Sequence, residues 1–138
     1  MIGLDSNVLL RLLTKDEPAQ AELARDLVAA SGPGRRAHVS VIVLCELVWV
    51  LGRAMKYRRA DIAVMLDALL HSPHLSIEDA AAVREAVERF RRGADFADAL
   101  IGLRNRDSGC AATLTFDRDA SGQPEFRLLT ATSLREML

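Results

Sequence analysis

The chain has few aromatic residues: one Trp, one Tyr and four Phe in 138 positions. That is too few for the stacking platform that single-strand nucleic-acid binders build from aromatic rings. Charge of one sign is not in excess either. With a formal net charge of −1, bulk electrostatics select no class of partner. Cysteine is scarce as well. Cys45 and Cys110 stand in apolar runs without metal-ligand spacing, and are expected as buried structural thiols in a reducing compartment. The longest apolar run, Val39–Gly52, has 14 residues and contains Glu46, too short to span a bilayer. Neither a basic start nor a cleavage site precedes Asp5. These absences predict a cytoplasmic protein that does not enter a membrane.

What is present fits a single domain over residues 1–138, large enough for a proper core. Half of the residues are hydrophobic and 27% are charged, ordinary for a soluble fold. The stretch Met1–Leu13 reads as a buried strand climbing to Asp5, followed at once by a helix with Val8, Leu9, Leu12 and Leu13 on one face. Asp16-Glu17-Pro18 opens a second helix, and Gly32-Pro33-Gly34 closes it. Ala37–Val39 reads as a short strand, with Ser40 capping the apolar helix beyond. After a basic break at Lys56–Arg59, Ile62, Met65, Leu66, Leu69 and Leu70 recur at helical spacing.

His74–Ile77 is a further strand, and Val83–Phe90 a helix with Glu85–Arg89 and Glu88–Arg92 pairs on its outer face. Gly93 breaks the chain before a helix over Asp95–Asp107. Ala111–Phe116 reads as a second buried strand, ending on Asp117. Phe126–Leu129 is a weaker strand and Thr132–Leu138 a last helix. Short strands alternating with helices predict an α/β fold around a parallel sheet.

Four carboxylates stand among residues that would normally exclude them. Asp5 and Asp117 close the two best strands, Glu46 is the one charge between Val39 and Gly52, and Asp98 lies in Phe96-Ala97-Asp98-Ala99-Leu100-Ile101. An isolated buried carboxylate loses several kcal/mol of solvation and tends to protonate. A divalent cation reverses that preference. Carboxylates in open octahedral sites suit Mg²⁺ or Mn²⁺, which can assist attack on a phosphodiester.

Each acid has a plainer reading. Asp5 can cap the following helix. Asp95 can cap the helix in which Asp98 is a third-position acid favoured by the helix dipole. Asp117, beside Asp119 and Ser121-Gly122, can be turn chemistry. Glu46 is the hardest to dismiss. Two acids at strand ends and two on helices together favour a shared pocket.

In order and spacing, Asp5-Ser6-Asn7-Val8-Leu9-Leu10, Glu46 in Leu44-Cys45-Glu46-Leu47, Asp95-Phe96-Ala97-Asp98-Ala99-Leu100-Ile101 and Thr115-Phe116-Asp117 resemble the PIN domain. More closely, they look like the VapC toxins of bacterial toxin–antitoxin pairs. The resemblance implies a three-layer α/β sandwich with a central, mostly parallel sheet of four or five short strands. It implies an endoribonuclease dependent on Mg²⁺ or Mn²⁺. Asp5 and Asp98 would be the most direct ligands, Glu46 would complete the first site, and Asp117 would hold a second ion or orient the attacking water. Ser6, Asn7 and Thr115 match polar positions lining such pockets, with Asp95 and Asp119 as cap and outer support. The implied partners are an RNA such as tRNA or rRNA, a VapB-type antitoxin, and a second copy in a homodimer. An antitoxin segment can put an Arg or Lys among the acids. Trp49, Leu51, Met55 and Tyr57 are candidates for its groove or for the core.

The basic clusters Arg53/Lys56/Arg58/Arg59, Arg89/Arg91/Arg92 and Arg104/Arg106 could position phosphates, or could be solvated helix faces. His38, His71 and His74 read as surface or loop residues. Two other functions compete. One is a non-catalytic PIN-fold module that binds RNA or protein. The other is a phosphatase using Asp5 as nucleophile, against which Asn7 stands where a second acid is wanted.

Overall fold

The computed structural model describes residues 1–14 and 16–138. The chain forms two compact units, Met1–Arg84 and Glu85–Leu138, divided within one helix. Among the described residues there are seven α-helices and five strands, and every strand pairing is parallel, as the alternating pattern predicts.

In the first unit, strand β1 (Ile2–Gly3) pairs with β2 (Ala37–Val39), and β2 with β3 (Leu75–Ile77). The register sets Ile2 beside Ala37 and Ala37 beside Leu75. Helices α1 (Ser6–Leu13), α2 (Pro18–Ala30), α3 (Val41–Trp49) and α4 (Arg59–His71) connect them, and α5 (Ala80–Arg91) leaves the unit. Local chemistry sets the helix ends. Pro18 occupies the first turn of α2, where its missing N–H costs nothing. Ser40 Oγ accepts from the Val43 N–H and caps α3. Leu9, Val39, Leu44, Leu47, Leu51 and Leu66 are fully buried and make the core of this unit. Beyond α3 the backbone widens into one π turn, Val50–Ala54, in which the Met55 N–H reaches back to the Val50 carbonyl at 3.0 Å. Lys56 then adopts a left-handed φ of 60° and ends the run.

In the second unit, the end of α5 is followed by α6 (Phe96–Asp107), β4 (Thr113–Thr115), β5 (Phe126–Leu128) and α7 (Ala131–Met137). Gly93 turns the chain out of α5 at φ 110°. Phe90 and Phe96 then pack edge to face, with centroids 6.2 Å apart. β4 and β5 pair Thr113 with Phe126 and Thr115 with Leu128. Parallel strands usually need a crossover of about a dozen residues or more, commonly a helix. Here residues 116–125 make the crossover with a single 3₁₀ turn, Ala120–Gly122. α6 approaches β5 so closely that a Cβ on Gly102 would fall 2.7 Å from the Phe126 ring.

Several expectations are corrected. The opening strand is two residues long and not buried: Ile2 is 44% exposed, and burial begins at Leu4. In β4 the pleat turns Thr113 and Thr115 to the half-buried face, leaving Leu114 exposed, and Phe116 beyond it is 80% exposed. Glu88 pairs with Arg91, one residue nearer than Arg92. Cys110 is exposed and Cys45 half-buried, and the two are not joined in a disulfide. Of the histidines, His71 is exposed, but His38 lies half-buried on β2 and His74 donates to the Ser31 carbonyl. Leu51 is core, Met55 and Tyr57 are half-buried, and Trp49 is 61% exposed.

Candidate active site

The first unit presents Asp5, Ser40 and Glu78 just beyond the C-terminal ends of β1, β2 and β3, the edge where open parallel sheets hold ligands. Asp5 is exposed, and its Oδ1 accepts from the Ser6 N–H at 2.7 Å, so it does cap α1. Ser6 is half-buried and Asn7 exposed in the first turn of that helix. Glu78 was overlooked by sequence reasoning, although the signal that marks Asp5, an acid directly after a short strand, is repeated there. Its Oε1 accepts from the Val41 N–H at 2.9 Å and fixes the start of α3.

Glu46 lies on α3 and is exposed, contrary to the burial that its apolar neighbours suggest. The reason is helical geometry. Ile42, Glu46 and Trp49 follow at i, i+4 and i+7 and share one stripe, and all three are exposed. Elsewhere in this unit, α1 and α2 border a cleft of about 410 Å³ lined by Asn7, Val8, Arg11, Leu23 and Leu27, with Arg11 Nε donating to Gln20 Oε1 at 2.6 Å.

In the second unit, Asp95 and Asp98 stand at the start of α6. Asp95 Oδ2 accepts from the Asp98 N–H at 2.9 Å, the expected cap. Asp98 is half-buried. Burial pushes its carboxyl above the usual carboxylate range, and the like charges of Asp95 and Asp117 push in the same direction. The structure therefore brings Asp95 and Asp117 each within electrostatic reach of Asp98. Asp117 is exposed in the short crossover. Its N–H donates to Thr115 Oγ1 at 3.0 Å, and its Oδ1 accepts from the Asp119 N–H at 2.9 Å. Asp119 is exposed at the entry to the 3₁₀ turn. Among the described residues, neither unit by itself gathers three His, Cys, Asp or Glu side chains close enough to hold a metal ion.

The basic clusters divide by their pairing. Arg89 is held by Glu85 and Glu125, Arg106 by Glu85 and Asp107, and Arg58 by Asp61. Arg53 and Lys56 are exposed. No helix among the described residues is long and apolar enough to cross a membrane.

Comparison with known proteins places this arrangement. A family model described as the PIN domain matches residues 2–124, a range that contains all four candidate acids. The chain is 27% identical over 116 residues to a VapC ribonuclease of Aquifex aeolicus (strain VF5), covering 83% of this chain and 86% of that protein. With the family match running through most of its length, the chain belongs to the PIN domain family.

Proposed function

We propose that this protein is a metal-dependent endoribonuclease, the toxin of a VapBC-type pair, that cleaves RNA until an antitoxin neutralises it. The observation that carries this reading is Asp98, a half-buried carboxyl destabilised by burial and by two neighbouring acids in a chain of the PIN family. Such a group gains most from a cation beside it. The donor set fits Mg²⁺ or Mn²⁺, since hard carboxylate oxygens suit both. Asp5, Glu46, Asp98 and Asp117 would hold the ion, which when bound supplies charge stabilisation at the scissile phosphate and activates water.

The rest of the work falls to the chain's own groups. Asp5 and Asp117 each commit Oδ1 to a backbone N–H, which orients the second oxygen of each carboxylate. Asp95 and Asp119 support their neighbours. Ser6, Asn7 and Thr115 supply hydroxyl and amide groups that can orient a phosphodiester, and exposed Arg53 and Lys56 suit more distant phosphates. The substrate in this reading is a tRNA or rRNA, and the setting is the cytoplasm. A VapB-type antitoxin would present an apolar segment to the α1–α2 cleft or to the Ile42–Trp49 stripe, and a cation to the acids. A homodimer is the assembly proposed for the free toxin.

The test is cleavage of total RNA with Mn²⁺, with EDTA and the Asp5→Asn and Asp98→Asn variants as controls. The proposal expects cleavage to disappear with EDTA and to fall at least about 100-fold in folded variants. Cleavage that survives both substitutions refutes it, and RNA binding without cleavage would favour the non-catalytic module.

A further inference from the structure

Asp117 sits in a crossover shorter than parallel strands normally use, and its Oδ1 accepts from the Asp119 and Ala120 N–H groups where the 3₁₀ turn begins. The far end of that crossover is held differently. Glu125, the residue before β5, receives a two-pronged contact from Arg89 on α5, with Nη2 at 2.9 Å from Oε2 and Nη1 on Oε1. Both side chains are largely withdrawn from water, Arg89 at 18% exposure and Glu125 at 9%. Glu85 takes the Arg89 Nη2 from the other side at 3.0 Å, and buried Gln123 accepts from Nη1 at 3.4 Å. On the α6 side, Gly102 lets that helix close directly onto the Phe126 ring and the Glu125 Cβ. The same contacts lower the Glu125 carboxyl and raise the Arg89 guanidinium.

We propose that the Arg89–Glu125 pair is a positioning device: it tethers the 116–125 crossover so that Asp117 is held in register with Asp98 on α6. A guanidinium fork on a carboxylate fixes direction as well as distance, which a surface ion pair does not. Arg89, which the sequence groups with solvent-facing Arg91 and Arg92, thereby acts on the site through Asp117 without touching substrate. This inference rests on the nuclease reading, because only then does the placement of Asp117 bear on a reaction.

The experiment measures single-turnover cleavage of a labelled single-stranded RNA of mixed sequence with Mn²⁺. It uses the full chain, Asp117→Asn, Glu125→Gln, Arg89→Lys and the Asp117→Asn/Glu125→Gln double variant. Hydrogen exchange of the metal-free proteins is recorded alongside. The expected result is a fall of about tenfold in the cleavage rate for Glu125→Gln, within the ~10²-fold that a 1 Å misplacement can cost. Half-saturating protein concentration stays within about twofold. In the Asp117→Asn background the same substitution costs less than about twofold, because its route of action is already gone. Exchange of the 119–121 amides speeds up while α6 stays protected. Arg89→Lys, which keeps the charge and loses the fork, gives the same pattern and replaces Glu125→Gln if that variant does not fold.

An undiminished rate, an equal loss in both backgrounds, or unchanged exchange at 119–121 in the folded variants overturns the tether. If Asp117→Asn cleaves like wild type, the role of Asp117 fails and the positioning role of the pair with it; if wild type does not cleave RNA, the nuclease reading fails instead. The exchange data then still decide whether the pair holds the crossover.

Discussion

Gly102→Ala adds one methyl group at a place where the structure has no room for it. The new Cβ would lie 2.7 Å from Cε2 and 3.3 Å from Cδ2 of Phe126, and 3.2 Å from the Glu125 Cβ. Carbon atoms pack at about 3.5–4.0 Å, so the ring must retreat by roughly 1 Å. It has little freedom to do so, being 7% exposed and carried on a paired strand. Overpacking costs about 1–3 kcal/mol, and a contact this short against a confined ring falls in the upper part of that range, about 2–3 kcal/mol. The higher helix propensity of Ala offsets about 1 kcal/mol. The net loss is about 1–2 kcal/mol, which for a chain of this length lowers Tm by roughly 3–8 °C. Thermal unfolding followed by circular dichroism measures it. Gly52→Ala is the matched control, since among the described residues its added Cβ meets Ile62 Cδ1 at 3.7 Å, an ordinary contact. That variant should unfold at or slightly above the wild-type temperature. A Gly102→Ala protein as stable as wild type, or equal losses in both variants, would refute the close-approach argument.

Asp98→Asn should abolish RNA cleavage and yet raise the Tm of the metal-free protein. A folded carboxyl pKa above its ordinary 3.8 makes the ionised form a liability at neutral pH, so the gain should vanish as pH falls toward 4 in a melting series. Glu125→Gln should lose about 2–4 kcal/mol in urea unfolding at pH 7, as expected when one partner of a largely buried, hydrogen-bonded pair is removed. The folded Glu125 pKa lies below its ordinary 4.5, so the wild-type advantage should be full above that pH and shrink as pH falls through it. Ser133→Ala removes a buried hydroxyl that accepts from the Thr130 N–H at 2.8 Å and donates to the Leu128 carbonyl at 2.9 Å. It should cost about 1–2 kcal/mol by the same measurement.

Helices were legible because their signals are local. Ser40, Pro18, Asp95 and Gly93 each act within a turn of where they stand, and the apolar spacing of α4 needs no distant partner. The parallel pairing of β1, β2 and β3 followed from strands alternating with helices, whereas β4 and β5 pair in parallel across a crossover that holds only a 3₁₀ turn. Burial of the acids was not legible, because apolar neighbours in sequence say little about the face a helical residue occupies. Glu46 shares the exposed stripe of Ile42 and Trp49, while Leu44 and Leu47 beside it point inward. Arg89 failed for the opposite reason. It looks like one member of a surface cluster, and its partner Glu125 lies 36 residues further along the chain. The π turn after α3 has no simple residue signature and was missed for that reason.

Capping and metal binding were set against each other as explanations for the acids, but the geometry makes them complementary. A carboxylate has two oxygens and about four lone-pair sites. Asp5 and Asp117 each spend Oδ1 on backbone N–H groups of the turn that follows, and Asp95 does the same with Oδ2. That bond fixes the carboxylate plane, lowering the entropy cost of presenting the remaining oxygen to an ion. Asp98 differs, because its own N–H is the one being capped and its half-buried carboxyl is raised by burial and by the charges of Asp95 and Asp117. A cation should therefore stabilise the protein chiefly through Asp98. Thermal shifts on adding Mn²⁺ should be lost in Asp98→Asn and only reduced in Asp5→Asn. Equal shifts in the two variants would show that the acids share the ion evenly.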